Sequence, residues 1–183
     1  MKLSETFIED LFVVETAPCA DHRGSFSRFF CKRELLPVLG ERDIVQINYS
    51  ITGTIGSIRG LHYQKPPFAE MKLVRCLKGK VWDVAVDLRA GSPTFLKYFG
   101  QELTPKNGRM IVIPEGFAHG FQTLDEDCEL LYLHTEFYMP EAQAGLAWND
   151  PTLAIPWPLP VSEISGRDCA HPSIPGDFSG IVL

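Results

Sequence analysis

The stretch "IVQINYS", residues 44–50, alternates apolar and polar side chains, and its reading decides the fold. In a β-strand successive side chains point to opposite faces. Gln46, Asn48 and Ser50 therefore share one face, and Val45, Ile47 and Tyr49 the other. A solvated outer face usually carries Lys, Glu or Thr, whereas amides suit a polar interior that holds a ligand.

Outward from this strand the chain keeps the same habit. Runs such as "DLFVVET", "SFSRFF", "SIRGLHY", "MKLVRCL", "KVWDVAVDL", "LKYFGQEL", "RMIVIP", "GFAHGFQTL" and "ELLYLHTEF" read as strands, with turn signals at "TGTIG", "LKGK", "AGSPT" and "TPKNG". About ten short strands at regular intervals predict an all-β sandwich or jelly-roll barrel. Helical spacing is credible only in "CKRELLPVL", where Pro37 limits it. Leu130, Tyr132 and His134 share a strand face opposite Leu131 and Leu133, and Lys72 shares one with Val74 and Cys76. Polar groups mixed into such faces are the pattern of a small barrel with a lined pocket.

The bulk properties narrow the function classes. With 183 residues, the chain is expected to be one domain, with a barrel core over about 10–138 and a Pro-rich tail over about 139–183. Hydrophobic residues make up 45% and charged ones 22%, which excludes a disordered chain. A net charge of −6 argues against nucleic acid or anionic membrane as the main partner. The start of the chain, "MKLSETFIEDLFVVE", has no leader-like pattern, so a cytoplasmic location is expected. Cys19, Cys31, Cys76, Cys128 and Cys169 form no CxxC pair, which disfavours a cysteine zinc site; Cys76 and Cys128 sit in apolar runs as core residues.

The segment "RGLHYQKPPFAEMKLV", residues 59–74, holds the chemistry and admits two readings. Barrels of the cupin type bind metal through His-x-His, a following Glu and a later His. Here the second His of the pair is missing, yet His62, Glu70 and His119 still make a two-His, one-carboxylate set. Such a set would make the protein an oxygenase or a binding protein, but Lys72 would then place a cation beside the metal. Proton transfer uses more of the residues. A base, commonly His, removes a proton next to a ketone; Lys72 can stabilise the enolate oxygen; and a hydroxyl such as that of Tyr132 can return the proton on the opposite face. The outcome would be inversion of a stereocentre without a metal.

Longer stretches then carry a resemblance. "DHRGSF", "IVQINYS", "SIRGLHYQKPP", "KLVRCLKGKVWDVAVDLRAGSPTF", "IPEGFAHGF", "WNDPTLAIPWP" and "ISGRDCAHP" make the chain similar to the dTDP-4-dehydrorhamnose 3,5-epimerases over nearly its whole length. These enzymes act on nucleotide-linked 4-keto-6-deoxy sugars in deoxysugar and polysaccharide biosynthesis. The resemblance implies a cupin-like jelly-roll barrel, a homodimer, no metal and no cofactor. It makes His62 the base, with Asp168 orienting its ring, Tyr132 the acid, and Lys72 the stabiliser of the enolate oxygen at C4 with His119 nearby. Arg23 and Arg59 would grip the diphosphate, Gln46 and Asn48 the nucleotide or diphosphate, and Tyr138 would stack on the base or sugar.

The chain also departs from that pattern. It carries Arg28 and Gln143 where the family usually has Glu, Arg167 for Lys in "KD", and Glu70 for a common Gln. Arg28 and Gln143 fall at the nucleotide end of the site. An Arg can only donate hydrogen bonds, so Arg28 would suit an acceptor-rich base edge such as that of cytosine. A C3- or C5-only epimerase acting on a CDP-linked or other sugar is the alternative within the class.

Overall fold

The computed structural model describes residues 1–183. Thirteen strands and two short helices make up its regular structure. The strands are β1 (Lys2–Glu5), β2 (Phe12–Glu15), β3 (Cys19–Asp21), β4 (Gly24–Phe26), β5 (Gln46–Thr52), β6 (Ile58–Gln64) and β7 (Lys72–Lys78). They continue as β8 (Val81–Asp87), β9 (Tyr98–Leu103), β10 (Arg109–Ile113), β11 (Phe117–Thr123), β12 (Cys128–His134) and β13 (Gln143–Gly145). Helix α1 spans Lys32–Leu39 and α2 spans Gly166–Cys169.

Two antiparallel sheets form the barrel. One has six strands in the order β1-β2-β10-β7-β12-β5, and the other has five in the order β13-β6-β11-β8-β9. Hairpin β3–β4 forms a small sheet of its own. This crossed order is the jelly roll that the spacing of strands and turns predicts.

Alternation decides which side chains fill the space between the sheets. Val74, Cys76, Ile111 and Leu130 from one sheet meet Val81, Ala85, Leu103, Phe117 and Phe121 from the other. Burying a side chain of this size stabilises the fold by about 1.5–3 kcal/mol, so this apolar end can support a polar one. The outer faces are covered differently. Leu73, Leu133 and Val112 lie under Leu35, Val38 and Leu39 of α1. The other sheet turns Leu61, Val84, Val86 and Ala118 toward Leu146 and Leu153, with Trp157, Ile174 and Phe178 of the Pro-rich segment packed alongside.

Several expectations meet the structure at the level of single elements. Val74 and Cys76 do line the apolar interior above Lys72, and Leu131 and Leu133 face the helix side. Pro37 sits inside α1, in its last turn, and Gly40 closes the helix by donating its N–H to the Leu36 carbonyl. "SFSRFF" pairs as a strand only through Phe26. β1, β3 and β13 are strands that the sequence reading passes over. No helix is long and apolar enough to cross a membrane.

Strand β6 contains the feature that shapes the site. On β11, Phe121 and His119 are two residues apart, but their partners on β6, Arg59 and His62, are three apart. This one-residue bulge cancels the usual alternation, so Arg59 and His62 face the same cavity. Gly60 makes it feasible: its φ is 124°, and a Cβ there would stand 2.6 Å from the Gly120 Cα.

Candidate active site

His62 projects from β6 toward Asp168, which α2 carries in from the C-terminal segment. The His62 Nε2 lies 2.8 Å from Asp168 Oδ1, and the Gly60 N–H donates to Oδ2 at 3.1 Å. Ser165 caps α2, its hydroxyl accepting from the Asp168 N–H. Asp168 is only 2% exposed. Burial alone would raise its pKa, but the His62 and Gly60 hydrogen bonds outweigh that and hold it far below the usual carboxylate range. An ionised carboxylate only accepts hydrogen bonds, so the Nε2 of His62 must carry the hydrogen. In the neutral ring Nδ1 is then left with a free lone pair, as a base requires. His119, paired with His62 across β6 and β11, is held by both oxygens of fully buried Asp83, at 3.0 and 2.9 Å from its Nε2.

The facing sheet supplies the other groups. Tyr132 on β12 shares a hydrogen bond of 3.0 Å with the Ser50 hydroxyl of β5. Burial pushes the Tyr132 phenol well above its ordinary pKa, against a smaller opposite effect from Ser50, so it keeps its proton through the neutral range. Lys72 on β7 places Nζ 3.0 Å from Glu70 Oε1, and the other oxygen of Glu70 lies 2.7 Å from His134 Nδ1. Burial would raise the Glu70 pKa, but His134 and Lys72 together bring it below its ordinary value. From there the chain of bonds runs from His134 Nε2 to the Asn48 amide at 3.2 Å and on to Gln46 at 3.2 Å. Gln46 accepts the Tyr138 N–H, and the Tyr138 hydroxyl donates to Gln143 at 2.6 Å.

These residues line one elongated groove. Its central cavity, about 270 Å³, is bordered by His62, Tyr132, Lys72, His119, Asn48 and Arg59. A neighbouring cavity of about 400 Å³ holds Arg59, Arg167 and Asp168, and a smaller one of about 120 Å³ holds Gln46, Tyr138 and Gln143; His62 borders all three. The arrangement puts a bare imidazole nitrogen and a protonated phenol on opposite walls of one space, with an ammonium beside them.

Two expected residues stand elsewhere in the chain. Arg23 lies on the exposed β3–β4 hairpin, folded back on Asp21 at 2.6 Å. Arg28 pairs with Glu34 of α1, which also binds the amino terminus. Neither borders the groove. The alternative metal set is not assembled either, because Glu70 is turned to Lys72 and His134. The donor atoms that converge are those of His62, Asp168 and His171. Asp83 and the roles of Ser50 and His134 escape the sequence reading. Alternation in "VWDVAVD" signals the first, since it puts Asp83 in line with Val81 and Ala85.

The sequence profile of the family described as dTDP-4-dehydrorhamnose 3,5-epimerase matches residues 5–175. The enzyme of that name from Sinorhizobium fredii is 40% identical over 179 residues, covering 94% of this chain and 92% of the relative. The crystal structure of dTDP-4-dehydrorhamnose 3,5-epimerase from Bacillus anthracis with TDP and PPi bound superposes with a TM-score of 0.91 at 39% identity, over 94% of this chain and 99% of that one. The Legionella pneumophila dTDP-6-deoxy-D-glucose-3,5-epimerase in complex with dTDP-4-keto-L-rhamnose gives 0.89 at 39% identity, over 94% and 92% of the two chains. A fold, a groove and a sequence match of this extent lead to one assignment: the chain belongs to the dTDP-4-dehydrorhamnose 3,5-epimerase family.

Proposed function

We propose that this protein inverts C3 and C5 of dTDP-4-dehydro-6-deoxyglucose through enolate intermediates, without a cofactor. The observation that carries this reading is the placement of His62 and Tyr132 on opposite sheets around one cavity. The Nδ1 of His62 takes the proton from the carbon beside the ketone. The electron pair of the broken C–H bond moves to the C4 oxygen, where the Lys72 ammonium stabilises the negative charge. The Tyr132 O–H then gives its proton to the carbon from the opposite face, and solvent exchange restores the neutral imidazole and phenol. Asp168 holds the productive tautomer of His62 and stabilises the imidazolium that forms.

The same reading assigns the diphosphate to Arg59 and Arg167 and the base or sugar to Tyr138, with Gln46, Asn48 and Gln143 setting the aromatic ring. Arg fits phosphate because its fork of donors matches two oxygens at once. We further infer a homodimer. β5 is an edge strand whose outer face exposes Ile47 at 61% and Ile51 at 55%, an apolar edge that isolated proteins avoid. A second copy covering this edge also gives Arg23 a diphosphate to bind: that of the neighbouring subunit.

Incubation with dTDP-4-dehydro-6-deoxyglucose in heavy water tests the activity. Product inverted at both carbons, with deuterium at C3 and C5, is the expected result; label at one carbon alone defines a single-site epimerase. Light scattering of the eluting protein tests the dimer.

A further inference from the structure

His171 has no part in the reaction above, yet it stands against its base. Its ring meets that of His62 edge-on, with centroids 5.4 Å apart and planes at 77°. Its Nε2 is buried and has no hydrogen-bond partner. A buried polar atom left unpaired costs free energy and calls for an explanation, and an absent ion is one of the few available. Gly145 of β13 shows how the ring is seated. A Cβ at position 145 would come equally close to the Nε2, Cδ2 and Cε1 of His171. Equal closeness to three ring atoms means that the face of the imidazole rests on the glycine. The in-plane lone pair of Nε2 is therefore free to point elsewhere, and Asp168 Oδ1 lies 3.8 Å away.

We propose that His62, Asp168 and His171 form an inhibitory site for a zinc-like transition-metal ion. Two imidazoles and one carboxylate are the donors such ions favour over calcium or magnesium. The donor atoms all lie within 4.8 Å of one another, with His62 and His171 at 2.8 and 3.8 Å from the shared carboxylate oxygen. Tetrahedral zinc with bonds of about 2.0–2.1 Å asks for donor separations of roughly 3.3 Å, inside that span. Shifts of well under a side-chain length close the site, and the fourth position is left for water. The one competing cation is Arg167, whose Nε lies 3.4 Å from Asp168 Oδ1, but its side chain is 60% exposed and free to swing away.

Occupation would silence the base without filling the sugar cavity. A metal on the Nε2 of His62 displaces the hydrogen from that nitrogen. The neutral ring then carries its N–H on Nδ1, the nitrogen left for the substrate. No proton is gained or lost overall; it changes sides. The lone pair that abstracts the sugar proton is gone, so turnover at saturating substrate falls while KM changes little. The inhibition rests on His62 being the base, whereas the binding does not.

The experiment measures Zn²⁺ binding to chelator-stripped protein, by competition with a chromophoric chelator, for wild type, His171→Asn and His171→Phe. Wild type is expected to bind one ion per chain. Both variants should keep turnover in metal-free buffer but lose at least the roughly 10–100-fold in affinity that even an outer-shell partner contributes. Histidine ring ¹⁵N spectra of the wild type, which need no variant to fold, should show Zn²⁺ shifting two rings, assigned to His62 and His171. Absence of stoichiometric binding, equal affinity in the variants, or shifts at His119 or His134 instead would overturn the site. Tight binding with turnover unaffected would leave the site standing and count against His62 as the base.

Discussion

The two walls of the groove handle protons in opposite ways. On the five-stranded side each histidine is backed by a buried carboxylate: His62 by Asp168 and His119 by Asp83. On the six-stranded side the Tyr132 hydroxyl hydrogen-bonds only the neutral hydroxyl of Ser50, and Glu70 is shared between Lys72 and His134. The carboxylate wall fixes which nitrogen of each imidazole is turned away from its partner; the phenol wall, desolvated and with no base hydrogen-bonded to its hydroxyl, keeps the proton it has. In the proposed reaction, catalytic direction follows from this difference in partners, more than from the identities of His and Tyr themselves.

The largest effect should come from removing the base. His62→Ala is expected to lower epimerisation by roughly 10²–10⁴-fold, the usual worth of general acid–base catalysis, with the melting temperature little changed. Lys72, tied to Glu70, has no means of replacing it. Activity within tenfold of wild type in a steady-state assay would remove His62 from its role.

Asp168→Asn breaks the same wall one bond further out. It should cost less activity than His62→Ala, and its stability effect has a defined pH signature. The native pKa of Asp168 is depressed below the unfolded value of about 3.9, so its stabilisation is fully present above that value and is lost as pH falls toward the native pKa. Urea unfolding should therefore show wild type ahead of Asp168→Asn by about 1.5–3 kcal/mol at pH 7, the worth of hydrogen bonds to a charged group. The gap should narrow steadily below pH about 4. A gap that stays constant down to pH 3 would mean that Asp168 is not held as the structure describes.

The smallest effect belongs to the opposite wall. Glu70→Gln keeps a hydrogen-bond acceptor for Lys72 and removes one negative charge beside it. Turnover should change by less than about tenfold, equivalent to about 1.4 kcal/mol in the barrier, since the ammonium remains and the Gln oxygen still accepts its hydrogen bond. A loss as large as that of His62→Ala would show that the carboxylate, and not the ammonium it holds, carries the chemistry on this side.

Much of this was open to reading in the sequence, for physical reasons that differ by element. "IVQINYS" and "ELLYLHTEF" are legible because a strand with one lined face must alternate, and Asn48, Ser50, Tyr132 and His134 do share the groove. β3 and β13 span three residues each, too few for any period to register. The shared direction of Arg59 and His62 was hidden because the bulge breaks alternation at the point where function needs it. Asp168 was reached only through the resemblance: nothing local in "SGRDC" says that a four-residue helix carries it to His62. His171 had no signal, since its position depends on Gly145 lacking a side chain 26 residues earlier in the chain. Arg23 shows the opposite limit: its motif is legible, but within the chain it folds back on Asp21, away from the groove.

The division of labour between the walls is tested most directly by Tyr132→Phe in heavy water with dTDP-4-dehydro-6-deoxyglucose. Following deuterium entry and inverted product by NMR in one sample separates proton removal from proton return. With His62 intact and the phenol gone, deuterium should still wash into the substrate, returned to the face it left, while inverted product falls by about 100-fold or more. Loss of exchange and inversion in equal measure would contradict the account and place Tyr132 in binding or in proton removal itself.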